Sequence, residues 1–293
     1  MSFIRTYLEY NSGNEVPRNF HIWAALSLIS AVASHKVYVN QGYFKHRANI
    51  YTCLVGEQGD RKSTAKDIAR DILVETFPDL PVAASVTTRE AITKYLGGDD
   101  SLRAYTDERG VLIEYHPYVL FINELKNFLS VNPGGMIDFL TDIYDQKMFK
   151  VETKNKGIDI IYNPILTVLA CETPNWIVRK FKEDLISGGF SRRMLMVYER
   201  ETPEPKPRPF PPQGSDLMLS SIKDHLRMVN TIVGCFKWTD GGGKMFDEWY
   251  IKNKHTLPVD PVMKGYFKTK DVHLLKVCML LALCEPEPKL LLS

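Results

Sequence analysis

An α/β fold with a largely parallel sheet is predicted for this 293-residue chain. Apolar runs at 50–55, 118–122, 164–171 and 194–198 alternate with helix-like stretches at 62–77, 88–96 and 175–185, the pattern of strands joined by crossover helices. Each run is apolar at consecutive positions, which suits strands covered on both faces. A hydrophobic content of 44% is enough for a substantial core, in one large domain or a core with a smaller lid.

In chain order, residues 3–40 read first as helix, with Trp23, Leu26, Leu28, Ile29 and Val32 crowded together, then as strand at Lys36-Val37-Tyr38-Val39. This predicts an N-terminal helical cap over 1–48, ahead of a core over 49–200. The first core strand, 50–55, runs into Gly56-Glu57-Gln58-Gly59-Asp60-Arg61-Lys62-Ser63-Thr64 and then a helix to Phe77. That is a P-loop in its required strand–loop–helix setting: glycines let backbone N–H groups close around phosphate, Lys62 reaches the β/γ-phosphates, and the Ser63 hydroxyl ligates Mg²⁺. ATP and Mg²⁺ are the expected cofactors, held by Gly56, Gly59, Asp60, Arg61, Lys62, Ser63 and Thr64. Arg61 stands where a glycine is usual, and either adds charge to the phosphate site or points outward.

A short segment, Pro81 to Ser85, precedes a helix from Thr88 to Leu96 that Thr87 or Thr88 can cap. After a polar stretch at 97–110, the run Tyr118-Val119-Leu120-Phe121-Ile122 ends in Asn123-Glu124, the place of a Walker B element. There Glu124 is the candidate to polarise attacking water, and Asn123 the candidate to hold Mg²⁺ through water. Asn123 replaces the usual aspartate, so either an amide is tolerated or another acid such as Asp60 contributes. An ordinary buried strand with polar end residues is the alternative.

The run Pro164 to Cys171 ends in Glu172-Thr173-Pro174-Asn175, where Thr173 or Asn175, and less readily Glu172, can sense the γ-phosphate. Beyond a helix over 175–185, Gly189-Phe190-Ser191-Arg192-Arg193 leads into the strand 194–198. Arg192 and Arg193 are placed either as arginine fingers for a neighbouring subunit or as a solvated pair. Between the second and third runs, 148–162 alternates on both sides of Lys154-Asn155-Lys156-Gly157, a β-hairpin signal. The Pro-rich stretch 201–213 is a stiff linker, and 214–293 is expected to be a helical lid built from 214–232, 242–255 and 264–284. In its last helix Lys268, Lys270 or Lys276 is a candidate second sensor, with Lys276 also able to snorkel from an apolar face. The terminal Leu290-Leu291-Leu292 reads as a loose apolar tail that further chain would follow.

With 37 Lys+Arg against 35 Asp+Glu the formal charge is only +2, so a nucleic-acid contact has to come from a local cluster. The five cysteines show no metal-binding spacing and suit a reducing cytoplasm. The longest apolar stretch, Val272 to Cys284, carries Lys276 and is too short to span a bilayer.

The order of these elements resembles the AAA+ ATPase core. The segments His21-Ile22-Trp23, Gly59-Asp60-Arg61-Lys62-Ser63-Thr64, Ile122-Asn123-Glu124-Leu125, Ala170-Cys171-Glu172-Thr173-Pro174 and Gly189-Phe190-Ser191-Arg192-Arg193 resemble a helicase-like P-loop family of phages, prophages and mobile elements, found beside primase-polymerase modules. The resemblance implies an ATP-hydrolysing motor on single-stranded DNA, a homo-oligomer of hexameric-ring type, and a primase or other replication partner. Superfamily III helicases, which are similar, insert a hairpin where 148–162 falls, and its basic tip grips DNA in the ring's channel. Lys150, Lys154 and Lys156 would do so here, unless the hairpin is a surface feature with solvated lysines. A P-loop kinase and a nucleotide-dependent switch or loader that binds a protein remain the rivals.

Overall fold

The computed structural model describes residues 1–84, 87–130, 135–145, 148–153, 157–181, 189–200, 204–256, 258 and 263–293. It is an α/β protein. Its helices are α1 (Phe3–Tyr10), α2 (Arg18–Ala33), α3 (Lys62–Thr76), α4 (Arg89–Leu96), α5 (Leu125–Ser130), α6 (Gly135–Ile143), α7 (Pro174–Phe181), α8 (Ser215–Thr231), α9 (Asp240–Asn253) and α10 (Lys264–Leu283). Its strands are β1 (Val37–Gln41), β2 (Phe44–Arg47), β3 (Tyr51–Val55), β4 (Arg103–Thr106), β5 (Leu112–Ile122), β6 (Met148–Thr153), β7 (Gly157–Tyr162), β8 (Pro164–Glu172), β9 (Met194–Tyr198), β10 (Gly234–Trp238) and β11 (Leu291–Leu292).

The central sheet has the order β4-β5-β8-β3-β9. β5, β8, β3 and β9 are parallel, and β4 adds to β5 antiparallel. Pro81–Ala83 also docks on the outer edge of β5, bridging Val82 to Val119. Side chains along each strand alternate between two cores. On β8, Leu169 and Cys171 join one face with α2, α3, α8 and α10, while Leu166, Val168 and Ala170 join the other with α4, α5 and α6. Double coverage explains why β8 is buried from end to end and reads as an unbroken apolar run.

The sequence does not signal β10, yet this strand organises the second sheet, β11-β10-β1-β2. It pairs in parallel with β1, Val37 opposite Gly234, so residues from the two ends of the chain share one sheet. The chain end is not a loose tail, because β11 pairs with β10 and Leu292 is buried. β4 lies in the stretch read as polar loop, and β5 starts at Leu112, well before the expected run. Among the described residues, no helix is long and apolar enough to cross a membrane, and Cys53, Cys171, Cys235, Cys278 and Cys284 are free thiols.

Lys276 does not snorkel. It is fully enclosed on α10, donates to the Asn49 carbonyl at 2.9 Å and to its Oδ1 at 2.8 Å, and lies 4.3 Å from the Tyr144 ring centroid. Burial pushes its pKa down to about 8, partly opposed by Asp145 and reinforced by Arg193. The folded value lies below the unfolded one, so between pH 8 and about 10.5 the unfolded chain holds a proton that the fold releases, and stability rises with pH across that window. Lys36, lowered to about 8 by its own burial, titrates in the same range, so the difference between wild type and Lys276→Met isolates the Lys276 contribution. Denaturant unfolding should show that difference shifting toward the wild type by on the order of 3 kcal/mol from pH 8 to 10.5. A flat difference would refute it.

Candidate functional site

The parallel strands end along one edge of the sheet. Val55 is in register with Glu172 and with Tyr198, and Ile122 with Ala170. Open α/β sheets bind ligands at this carboxyl edge, and here it carries a cleft of about 600 Å³. Gln58, Gly59, Arg61, Lys62, Ser63 and Thr64 line one side, and Asn123, Glu124, Glu172, Thr173 and Asn175 the other. Residues of the loop after β3 and strand-end polar residues from three separate segments therefore meet, at a size ordinary for a small-molecule site.

The loop is shaped by close backbone approach. A Cβ on Gly56 would sit 2.7 Å from Asp60 Oδ2, and Gly59 has φ +98°. The Asp60 carboxylate accepts from the Glu57 amide at 2.6 Å, so it closes the loop. Asp60 is not among the residues lining the cleft, and its Oδ2 is engaged within the loop by the Glu57 amide. Gly56 also stands behind the cleft, where its carbonyl and that of Glu57 accept from Lys62 Nζ at 2.7 and 2.5 Å. α3 begins at Lys62, so the unpaired first-turn amides and the positive end of the helix dipole face the same space.

Arg61 has φ 54° and ψ 26°, the left-handed conformation that glycine adopts freely. A non-glycine residue pays about 1 kcal/mol there. Its guanidinium pairs with Glu15, whose other carboxylate oxygen accepts from the Lys206 amide at 2.6 Å. The Lys206 amide and then Arg61 hold the Glu15 carboxyl below its usual range. Arg61 lines the cleft, and its side chain pairs with Glu15, which ties the loop to the N-terminal segment.

Across the cleft, Glu124 and Asn123 are exposed just past the end of β5. Asn127 Nδ2 donates to Glu124 Oε2 at 2.5 Å. Glu172, the least favoured sensor by sequence, is buried at the tip of β8. Its carboxylate accepts from the Lys126 amide at 2.7 Å and from the Thr173 amide at 2.8 Å. It thereby anchors the first turn of α5 directly behind Glu124. Thr173 Oγ1 also donates to Glu172, at 3.2 Å. Arg179 on α7 lines the cleft as well and is exposed. Sequence reasoning passed it over, although its spacing of four from Asn175 places both on one helix face.

The Ser63 hydroxyl, the Asn123 amide oxygen and the Glu124 carboxylate are oxygen donors on one cleft, a set that fits Mg²⁺, which keeps waters and substrate phosphate as its other ligands. Among the described residues, no group of three or more His, Cys, Asp or Glu side chains could hold a metal by itself.

Arg192 and Arg193 lie elsewhere. They precede β9, whose first residue, Met194, is in register with Tyr51. They therefore occupy the opposite edge of the sheet, about 13 Å of strand away from the loop after β3. Arg192 is exposed, and its carbonyl accepts from His273 Nε2 at 2.7 Å. Arg193 is half-buried, donates to the Gly189 carbonyl at 3.0 Å and stands 5.6 Å from the Tyr144 ring centroid. None of Lys268, Lys270 and Lys276 lines the phosphate-side cleft. β6 and β7 do form the expected hairpin, with Lys150 exposed on β6; Lys154 and Lys156 lie outside the described residues.

Compared with models of protein families and with curated proteins, the chain matches none of them.

Proposed function

We propose that this chain is an ATP-hydrolysing motor acting on DNA, built on a P-loop NTPase core of AAA+ type. The observation that carries the proposal is the shared cleft at the carboxyl edge, where the start of α3 with Lys62, Ser63 and Thr64 faces Asn123, Glu124 and Thr173. First-turn amides of α3 and the Lys62 ammonium bind the phosphates. Ser63 and Asn123 would hold Mg²⁺, which when bound neutralises phosphate charge. Glu124 orients and deprotonates the attacking water, and Glu172 keeps the turn beneath it in place. Thr173 reads the terminal phosphate. Arg192 serves a neighbouring subunit's site, which calls for a ring or other homo-oligomer.

The deciding experiment measures phosphate release with and without single-stranded DNA, together with mass in solution. Turnover stimulated by DNA in an oligomer supports the proposal; a monomer that phosphorylates a small molecule refutes it. As an internal arm, replacing Lys150, Lys154 and Lys156 with alanine should preserve basal ATPase and reduce the salt slope of DNA binding by roughly 0.7 for each phosphate that is no longer neutralised. Unchanged affinity and slope would demote the hairpin to a surface feature.

A nucleotide-dependent switch is the second reading, and Asn127 favours it. Its amide occupies one oxygen of the Glu124 carboxylate, and the neighbouring Asn123 is a weaker metal ligand than an aspartate. Both features slow hydrolysis. A slow basal rate that Asn127→Ala raises would support this version.

A further inference from the structure

We infer that the tip of the β1–β2 hairpin, Tyr43 with Phe44, is a base-stacking platform for single-stranded nucleic acid, with Lys45 beside it as a phosphate contact. The inference rests on the reading of this chain as a DNA-acting protein but concerns a surface separate from the β6–β7 hairpin. β1 and β2 pair antiparallel with Gln41 opposite Phe44, so Gly42 and Tyr43 form a two-residue turn. Gly42 has φ +71°, and Tyr43 is not among the residues of positive φ, as a type II′ turn requires. Such a turn is rigid, and at its apex Tyr43 is 100% exposed while the adjacent Phe44 is 64% exposed. Tyr43 thus buries nothing for the fold, and Phe44 keeps most of its surface in water while its ring lies 6.3 Å from that of His46.

The charges around them select the partner. Along β2 the order is Phe44, Lys45, His46, Arg47, so ring and cation interleave. Lys45 Nζ lies 3.8 Å and the Arg47 guanidinium 5.1 Å from the Tyr38 ring centroid, which keeps the two cations on one side of the hairpin. Among the described residues, the cleft that Phe44 borders carries Lys45, Arg192 and Arg193 as cations and Asp145 as a carboxylate. An apolar protein partner would not call for a cation beside the rings, whereas a strand of nucleic acid offers a phosphate for Lys45 and a π-face for each ring. The location agrees. β1–β2 and the Arg192–Arg193 turn gather around Tyr144 and Asp145 at the amino edge of the sheet, away from the phosphate cleft.

The test is fluorescence anisotropy of a labelled oligothymidylate with wild type, Tyr43→Ala/Phe44→Ala, Tyr43→Phe/Phe44→Tyr and Lys45→Ala. Losing both rings should weaken binding about tenfold or more while leaving the salt slope unchanged, because stacking releases no counterions. The ring-conserving double variant should bind like wild type, since either ring offers a π-face. Lys45→Ala should lower the slope by roughly 0.7. Affinity for a fluorescent ATP analogue should be equal in all four proteins, and serves as the folding control. If wild type binds the oligomer and the double-alanine variant binds it equally well, the platform is refuted while the DNA reading stands. If wild type binds none at low salt, both fall. If the double-alanine variant loses oligomeric mass and keeps its DNA affinity, the tip is a contact between copies of this chain, which also refutes the inference.

Discussion

Glu124→Gln is expected to bind ATP as wild type does and to lose turnover by about 10²- to 10⁴-fold, the range that a positioned general base contributes. Lys62→Ala is expected to lose the binding itself. The split follows from where each group stands. Lys62 is held by the Gly56 and Glu57 carbonyls at the start of α3, on the side of the cleft with the unpaired first-turn amides, which under the proposed function sets it to act on the ground state. Glu124 stands across the cleft, past the end of β5, with Asn127 on one carboxylate oxygen, which under the proposed function sets it to act on water. Glutamine keeps the size and the Asn127 contact but cannot take a proton. Titration of a fluorescent ATP analogue separates affinity from rate, and an equal loss of affinity in both variants would sink the role assignment.

The parts of this site that the sequence made legible are those with a local signature. The glycine spacing, the strand before it and the helix after it all act within about ten residues. The strand-end pairs Asn123-Glu124 and Thr173-Pro174 follow runs apolar on both faces, which announce central strands. What stayed illegible depends on partners far away in the chain. β10 is five residues long and becomes a strand because Val37 lies beside Gly234. Lys276 looked like a snorkelling lysine because its acceptors, both on Asn49, lie more than two hundred positions earlier. Glu172 looked like a weak sensor because the Lys126 amide that it caps belongs to another strand's exit turn. Arg61 is the instructive case. Departure from glycine suggested either a phosphate ligand or an outward side chain, and neither reading foresaw the pairing with Glu15.

Arg192→Ala is expected to cut turnover by about 10³-fold or more with little change in ATP affinity, as loss of an arginine finger does. Arg193→Ala should instead lower stability by about 1–2 kcal/mol, through its stacking on Tyr144 and its bond to the Gly189 carbonyl. Sequence treats the two arginines alike, but their surroundings do not. Arg193 is half-buried and engaged, while the Arg192 side chain is exposed and its backbone is pinned by His273, a rigid mount for a reaching side chain. Neither can serve its own chain's phosphate cleft, because a strand length of roughly 13 Å separates the amino edge from the P-loop before any loop is crossed. Under the proposed function the action is therefore in trans. Mixing Arg192→Ala with Lys62→Ala subunits creates some interfaces in which an intact P-loop faces an intact arginine, so verified mixed oligomers should recover part of the activity that each variant lacks alone. No recovery in such oligomers would remove Arg192 from the catalytic machinery and leave it among the cations of the amino-edge cleft.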